Sequence, residues 1–424
     1  MKHRVLIITT VSGFLWQFEK NTVEILKEQG AEIHFASNFS SPAYQFPQDY
    51  FQENGIFPHP VSIQKSPYKI IKNFRALKSL LEIIRKEDID TLHCHTPVGG
   101  VLGRLAARFS PKKPKVIYTA HGFHFYQGAS LKNWLLYYPA EWFLARYTDI
   151  LVTINHEDEK RAKGLPIKDG GWVMKIPGVG VERSRFCPRP MARERARESL
   201  GLKDGELCLL TASLLDKEKN YQIVLEALEG LSHLPFRYFI CGEGPYRNAL
   251  EEKVKKLGLG EKVSFLGFRR DLDFLLQAAD IFLFPSLREG LGMAALEAMS
   301  CGVPVIATEN RGTREYIRHE KNGLLCSGWN KAEFQKAISL LAQDRTLGIR
   351  LGGQAWADSS RFSREESRMY MEQVYRLAWK GAEYEKSDAR EAKDKNHRIH
   401  ERVQSSSSGL TERGRGICLE SEFS

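Results

Sequence analysis

The chain has 424 residues, a formal net charge of +10 and 42% hydrophobic residues. At about 150 residues per domain, this length predicts two domains, and the hydrophobic content excludes a disordered or fibrous protein as the main description. The positive charge suits nucleic acid, an anionic membrane surface or a phosphorylated substrate, and it does not choose among them.

The opening segment and the cysteines indicate the compartment. The first residues, MKHRVLIITT, hold an apolar run too short for a signal peptide or a membrane span, which predicts a cytoplasmic protein. The seven cysteines contain no C-x-x-C pair. We therefore expect free thiols rather than a disulfide framework or a zinc ribbon.

The first part of the chain alternates β-branched runs with amphipathic stretches. A helix predicted over 68–86 places Ile70, Phe74, Leu77, Leu81 and Ile84 on one apolar stripe. The predicted strands cover residues 4–10, 32–37, 90–96, 115–121 and 149–155. Strands separated by segments long enough for crossover helices predict a parallel sheet covered by helices.

An aromatic segment at 131–143, LKNWLLYYPAEWF, is unusual for a surface. With the lysines at 112, 113, 115 and 132 it suits a helix at a bilayer interface or around a lipid tail. The alternative, a core helix of the first domain, is favoured. A basic row of Lys69, Lys72 and Arg75 on the 68–86 helix adds positive charge to the same domain.

The alternation restarts after a Pro- and Gly-rich linker at 177–190. The predicted strands of this part cover residues 207–213, 236–242, 262–267, 280–286 and 304–308, and the predicted helices 246–257, 271–279, 331–343 and 364–379. The chain therefore predicts two doubly wound α/β domains in tandem. The predicted domain plan is a first domain at 1–180, a linker at 181–203, a second domain at 204–345, helices at 346–382 that return to the first domain, and a disordered tail at 383–424.

The strongest local signal is the segment PSLREGLGMAALEAMSCGVPV at 285–305. A buried strand, a turn with two glycines and a helix over 292–300 place open backbone amides at a helix start, which suits a phosphate. Glu289 lies in the turn and Glu297 along the helix, and carboxylates accept hydrogen bonds from sugar and ribose hydroxyls. An ordinary strand, turn and helix with solvated glutamates remains the alternative.

Two pairs of histidines follow predicted strands of the first domain, His93 with His95 and His121 with His124. The spacing permits a metal site. No carboxylate or further cysteine nearby completes the set, so we expect no metal. His121 is expected to face the cleft as a polar contact.

Lys217, Lys219 and the Gly242–Pro245 turn follow predicted strands of the second domain. A lysine there can neutralise a diphosphate. Each signal is weak alone, but all lie at carboxyl ends of strands.

Several motifs together resemble those of a known family. They are HCHTPVGGVLGRLAAR at 93–108, the segment 118–149, IPGVGV at 176–181, CGEGP at 241–245, FLGFRRDL at 265–272 and the E-x7-E segment at 284–307. From residue 2 to 379 the chain resembles bacterial glycosyltransferases of family 4, the retaining GT-B group, and most of all those that build capsular or exopolysaccharide repeat units.

The resemblance implies a GT-B architecture, two Rossmann-like domains face to face across a cleft, and a role for each motif residue. Glu297 would hold the ribose, Glu289 the donor sugar, and His121 would contact the sugar near its reacting carbon. The remaining implied contacts are Lys219 and the amides of Gly290, Leu291, Gly292 and Met293 with the diphosphate, Phe268 and Arg269 with the base, and Gly13 with a phosphate from the first domain.

Two positions depart from the family pattern. Leu214 stands where many members have an arginine beside the diphosphate. Either Lys217 compensates for it or the donor phosphates are held more weakly. Ser12 precedes Gly13 where a Gly-Gly pair is frequent, which leaves the phosphate contact of Gly13 open.

The resemblance implies a metal-independent hexosyltransferase without a cofactor, with a nucleotide sugar, expected to be a UDP-sugar, as co-substrate. It would move a hexose or N-acetylhexosamine to a lipid-linked saccharide while bound peripherally to the anionic inner face of the cell membrane, with no nucleic-acid partner. The alternatives are a nucleotide-sugar epimerase on the same fold and an inactive nucleotide-sugar-binding subunit of a polysaccharide assembly complex.

Overall fold

The structure of the protein is a computed structural model that describes residues 2–40, 46–47 and 49–380. The predicted tail at 383–424 lies outside these residues. The described residues form two parallel sheets of seven and six strands, each covered by helices. The predicted fold class, two tandem doubly wound α/β domains, is confirmed.

The first sheet has the strand order β3-β2-β1-β4-β5-β6-β7, with every pair parallel. Its strands are β1 (Arg4–Ile8), β2 (Glu32–Ser37), β3 (Ile56–Pro60), β4 (Thr91–His95), β5 (Lys115–Ala120), β6 (Ile150–Thr153) and β7 (Trp172–Lys175). The central strands are buried on both faces, which explains their continuous apolar runs. The order reverses beside β1, so the ends of β1 and β4 open a crevice suited to ligands.

The second sheet has the order β10-β9-β8-β11-β12-β13 and is also parallel throughout. Its strands are β8 (Leu207–Ala212), β9 (Phe236–Cys241), β10 (Val263–Gly267), β11 (Ile281–Phe284), β12 (Val305–Thr308) and β13 (Leu324–Cys326). Here the order reverses between β8 and β11, and the loops after these two strands carry the candidate donor site.

Helices cover both sheets. Those of the first part are α1 (Gly13–Phe18), α2 (Lys20–Glu28), α3 (Tyr50–Glu53), α4 (Ile70–Lys86), α5 (Pro97–Phe109), α6 (Leu131–Ala145) and α7 (His156–Ala162). Those of the second part are α8 (Arg193–Ser199), α9 (Tyr221–Glu229), α10 (Arg247–Lys256), α11 (Leu272–Ala278), α12 (Met293–Ser300), α13 (Lys331–Gln343), α14 (Arg345–Asp358) and α15 (Arg364–Lys380).

The connection between the two sheets contains a helix, α8. Within the predicted linker at 181–203, α8 packs against α11 of the second sheet's layer. At the other end, α15 leaves the second domain and packs against α2 of the first, where Arg364 and Arg368 pair with Glu24. The predicted domain boundaries themselves stay predictions.

The apolar stripe predicted for α4 is partly wrong. Leu77 and Ile84 are buried as expected, but Ile70 and Phe74 are exposed by 73% and 56%. The buried face instead runs through Asn73, Ala76, Leu77, Leu80 and Ile84. The first turn of α4 therefore projects apolar side chains into solvent.

The aromatic segment forms α6, whose first turn is capped by the Ser130 hydroxyl, which accepts from the Asn133 amide. The favoured alternative, a core helix, holds for part of α6, and contact of this helix with a bilayer or a lipid tail stays a prediction. Leu144 and Ala145 are buried in the core, while Leu135 and Trp142 are exposed by 70% and 42%. One side of the helix is packed and the other is an apolar surface.

A search of the described residues for a membrane-crossing helix finds none with the required length and apolar character. The six cysteines in this part of the chain are buried and are not joined in disulfides.

Candidate active site

A charged pair at the centre of the site joins two loops of the second domain. Lys219 ends the short 3-10 helix Lys217–Lys219 after β8, and Glu289 lies in the turn after β11. Because β8 and β11 are neighbours, their carboxyl ends bring these loops together. Lys219 Nζ donates to Glu289 Oε1 at 2.5 Å, and both side chains are mostly shielded from solvent. Two predicted site residues are therefore in direct contact.

The backbone that enters α12 forms the second part of the site. Gly292 has a φ of +99°, and a Cβ there would lie 2.8 Å from the Phe284 ring, so only glycine fits. The predicted residues Gly290 to Met293 lead through this turn into the helix, and Leu291 is buried within it. N–H groups of a first helical turn lack intrahelical partners and, with the helix dipole, attract anions.

Glu297 lies one turn further along α12 and is half-buried. Burial raises the pKa of its carboxyl from 4.5 to about 7, the charge of Arg185 acts in the opposite direction, and Asp273 raises it further. The Glu297 carboxylate is already partly desolvated in the protein. Hydrogen bonds donated by a pair of ligand hydroxyls would therefore compensate for this desolvation.

The other predicted donor contacts follow three different strands, β10, β8 and β1. Phe268 is exposed by 68%, as expected of a ring that a base could stack on, and Arg269 binds Asp271 through two hydrogen bonds of 2.8 and 2.5 Å. Lys217 is exposed. Gly13 is the buried first residue of α1, next to Ser12, whose buried hydroxyl has no hydrogen-bond partner among the described residues.

His121 lies where the two domains meet. A Cβ on Gly290 would lie 2.0 Å from the His121 carbonyl oxygen, so these two backbones touch. Asn155 strengthens the contact by donating to the Gly290 carbonyl at 3.0 Å. The loop after β5 therefore lies directly against the turn that carries Glu289.

The His121 ring belongs to a buried cluster that the sequence analysis did not identify. His95 Nδ1 lies 3.1 Å from His121 Nε2, and Glu19 Oε1 lies 3.4 Å from the first nitrogen and 3.7 Å from the second. The expectation that no carboxylate accompanies these histidines is wrong, because the fold brings Glu19 from the junction of α1 and α2. At these separations the three groups are also able to hold a metal ion.

Burial controls protonation in this cluster. It lowers the pKa of His121 to about 4 and that of His95 well below its usual value, so both rings are neutral at pH 7. It raises the pKa of Glu19 to about 8, although the hydrogen bond donated by the Thr22 hydroxyl, at 2.7 Å, opposes this. A largely neutral network thus supports the imidazole that faces the cleft.

The remaining two histidines have separate surroundings. His93 Nδ1 lies 2.7 Å from the Tyr375 hydroxyl of α15, and its Nε2 lies 2.8 Å from the Thr119 hydroxyl. His124 packs against the Tyr137 ring, with centroids 4.4 Å apart. The four histidines therefore do not form one ligand set.

The sequence analysis also missed an ionic contact between the two domains, that of Arg311 with Asp158. Arg311 donates to Asp158 at 2.6 Å and to the Phe123 carbonyl at 2.8 Å, and both charged side chains are nearly inaccessible. Asp158 also accepts from Asn155 at 2.9 Å. The asparagine that holds Gly290 is thereby fixed in place. The one available signal was Asn155 as helix cap of α7, directly after a strand.

Two family models match the chain. One described as "Glycosyl transferase 4-like" matches residues 4–155, and one described as "Glycosyl transferases group 1" matches residues 192–355. The first match covers β1 to β6 of the first sheet, and the second covers all six strands of the second sheet.

Relatives and solved structures extend this similarity over the whole fold. The putative glycosyltransferase EpsD of Bacillus subtilis is 39% identical over 379 residues, which cover 88% of this chain and 97% of the relative. The UDP-Gal:alpha-D-GlcNAc-diphosphoundecaprenol alpha-1,3-galactosyltransferase of Escherichia coli is 30% identical over 285 residues, covering 66% of this chain and 73% of the relative. The structure of Anabaena HepE with UDP and glucose has a TM-score of 0.73 at 18% identity, covering 88% of this chain and 99% of that one, and so shares the fold.

Proposed function

The chain belongs to the group 1 glycosyltransferases, and on this basis we propose that it is a retaining enzyme that transfers a hexose or N-acetylhexosamine from a UDP-sugar to a lipid-linked saccharide. The product would serve surface polysaccharide synthesis, of the capsular or exopolysaccharide kind. The observation that carries the donor part of the proposal is the contact of Lys219 with Glu289 at the amino end of α12.

The donor would occupy this end of the second domain. Its diphosphate would displace the Glu289 carboxylate from Lys219 and accept from the amides between Gly290 and Met293. Glu289 would then accept hydrogen bonds from the sugar, and Glu297 from the ribose. Two features support this placement. The crevice lies where the strand order reverses, and Lys219 contacts the turn that leads into α12.

Transfer forms a bond from an acceptor hydroxyl oxygen to the anomeric carbon and breaks the bond from that carbon to the diphosphate. The proton of the hydroxyl leaves with the diphosphate. Because negative charge develops on the departing diphosphate, Lys219 and the fixed amides would stabilise the transition state. No metal ion and no cofactor take part in this proposal.

The acceptor would meet the enzyme at a membrane. The start of α4 and the two residues before it expose Tyr68, Ile71 and Phe74 beside three basic residues, Lys69, Lys72 and Arg75, and we call this set the α4 surface. Apolar rings interleaved with basic groups suit the interface of an anionic leaflet. We propose that the α4 surface provides peripheral contact with the inner face of the cell membrane.

The second basic group of the sequence analysis is less available for this contact. Lys112 is paired with Asp88, Lys113 donates to the Arg108 carbonyl, and Lys115 lies 3.5 Å from Asp149. The α4 surface is therefore the stronger candidate.

Donor hydrolysis and transfer across UDP-, GDP- and ADP-sugars test the proposed function. We expect a UDP-sugar to be hydrolysed slowly without acceptor and consumed faster with a lipid-linked saccharide, and the first product seen by NMR to keep the donor's anomeric configuration. Preference for another base, or an inverted product, would contradict the corresponding part. Release of an epimerised free sugar would favour the epimerase, and binding without turnover the inactive subunit.

A further inference from the structure

A cavity of about 220 Å³ lies in the first domain next to His121. It is smaller than the ~300–1,000 Å³ pockets that hold drug-sized ligands, so it suits a ligand group of about one ring. Five aromatic side chains contribute to its wall, those of Phe14, Tyr118, Phe123, Phe125 and Tyr137. Its polar lining comes from Thr96, His121, His124, Glu141 and Arg288.

The carboxylate in the wall is already neutralised. Arg104, which is 1% exposed, donates to Glu141 at 2.7 Å, and the Tyr118 hydroxyl donates to the other oxygen at 3.1 Å. A carboxylate oxygen has lone pairs beyond one such bond, so Glu141 is still able to accept from a ligand hydroxyl or amide. Aromatic faces with a paired carboxylate match the chemistry of a sugar ring, which has apolar C–H faces and hydroxyl donors.

Arg288 gives the cavity a positive rim. It precedes Glu289 and so reaches the first domain from the donor loop. Its guanidinium lies over the Tyr126 ring at 5.3 Å. Among the described residues, the Glu218 carboxylate forms an ion pair with it at 3.9 Å, and this carboxylate is mostly exposed. Burial is the main cause that lowers the pKa of His124 to about 4, and the charges of Arg288 and Arg311 act in the same direction. The rim therefore favours an anionic group.

The aromatic wall continues to the outside of the molecule. Phe125 lies 5.7 Å from Trp134 and 5.3 Å from Tyr138, measured between ring centroids. Tyr138 and Leu135 are exposed by 37% and 70% on the same helix. A ligand in the cavity thus has a continuous apolar path onto the free side of α6.

Resting on the proposed function, we propose that this cavity is the acceptor subsite and that it recognises a glycosyl diphosphate linked to a lipid. The sugar ring lies in the aromatic cavity with a hydroxyl toward His121, the anionic linkage binds Arg288, and the first carbons of the lipid lie on α6. The competing assignment for the same cation is the diphosphate of the donor.

The test measures binding of two synthetic probes by calorimetry with UDP present. The probes are hexyl N-acetylglucosaminyl diphosphate and hexyl N-acetylglucosaminide, which lacks the diphosphate. We expect the wild type to bind the first probe about tenfold tighter or more. Arg288→Gln should remove this difference, and Tyr137→Ala should weaken both probes. Arg314→Gln, at an arginine that is exposed and paired with Glu309, is the matched control.

Titration of UDP alone, on each variant, separates this proposal from the proposed function. Unchanged UDP affinity in Arg288→Gln supports the acceptor subsite and reports a folded donor domain. A fall in UDP affinity that equals the fall in probe affinity would assign Arg288 to the donor. Equal binding of the two probes by the wild type, or no binding of either, would overturn the subsite. A wild type that does not bind UDP would instead contradict the proposed function.

Discussion

The ammonium of Lys219 lies 2.5 Å from the carboxylate of Glu289. The two residues come from loops that follow adjacent strands of the second sheet. Before a donor binds, each therefore compensates the charge of the other. Under the proposed function, an arriving diphosphate would compete with Glu289 for the ammonium and so free the carboxylate for the donor sugar.

Replacing Lys219 by methionine should slow sugar transfer about a hundredfold or more, because the leaving diphosphate loses a fixed positive charge. Steady-state kinetics should show this loss in kcat, with the KM for the acceptor little changed. Lys255→Met, at an exposed site on α10, is the control. A change confined to the acceptor KM would place Lys219 in another site.

Glu297→Gln should weaken binding of a UDP-sugar by roughly 1–3 kcal/mol, since the ribose hydroxyls lose a charged acceptor. Burial raises the pKa of Glu297 to about 7. Wild-type affinity should therefore increase as the pH rises through about 7, and the affinity of the variant should not. Calorimetry at pH 6 and pH 8 decides, with Glu252→Gln on the exposed face of α10 as control. Parallel pH profiles for wild type and Glu297→Gln would contradict the assignment.

Glu19→Gln should change how stability depends on pH. The pKa of Glu19 is raised from 4.5 to about 8, so the folded protein keeps a proton that the unfolded chain releases between these values. This contribution to wild-type stability is complete below about pH 4.5 and is lost as the pH rises to about 8. The variant should gain on the order of a few kcal/mol relative to wild type across this window. Urea unfolding at pH 5 and pH 9 measures it, and an unchanged difference between the two proteins would refute it.

Transfer activity should persist in EDTA, because Lys219 and the amides before α12 already supply positive charge to the leaving group. Initial rates with and without the chelator should agree. Loss of activity that one divalent ion restores would reverse the expectation. Glu19, His95 and His121 would then be the ligands to mutate first.

Vesicles of anionic lipid should bind the protein less well as salt increases, because the α4 surface contributes about 1 kcal/mol per basic group. Charge reversal at Lys69, Lys72 and Arg75 should remove most of the salt-sensitive part in a co-sedimentation assay. Reversal at three exposed lysines of the second domain, Lys203, Lys255 and Lys256, is the matched control. Equal losses in both variants would show that net charge alone drives binding.

Much of the fold could be predicted because the central strands are continuous apolar runs buried on both faces. The strands that were missed lie at sheet edges. β3 contains Pro58 and Pro60 and β7 is half-exposed, so neither has an apolar pattern that stands out. The contact of Lys219 with Glu289 was partly within reach of sequence reasoning, since both follow predicted strands of one domain, but the adjacency of these strands came only from the structure.

The rest of the site depends on contacts between distant segments that leave no local pattern. Glu19 stands in an amphipathic region and gives no signal of its own, and only packing places it beside His95 and His121. Likewise Arg311 and Asp158 meet across the two domains. The exposed first turn of α4 followed the same apolar period as a buried helix, because periodicity reports a helix and not where its neighbours end.

The return of α15 to the first domain has a consequence for biosynthesis. The ribosome completes the first sheet early, yet Tyr375, which contacts His93 at 2.7 Å, is made only after the whole second domain. Until then the surface of α2 and the groove beside His93 stay uncovered. The second domain, whose elements are contiguous in the chain, is able to close first. We therefore expect docking of the last helix to complete the first domain. A nascent chain halted before residue 364 should already bind UDP through the second domain, while its first domain is still incomplete.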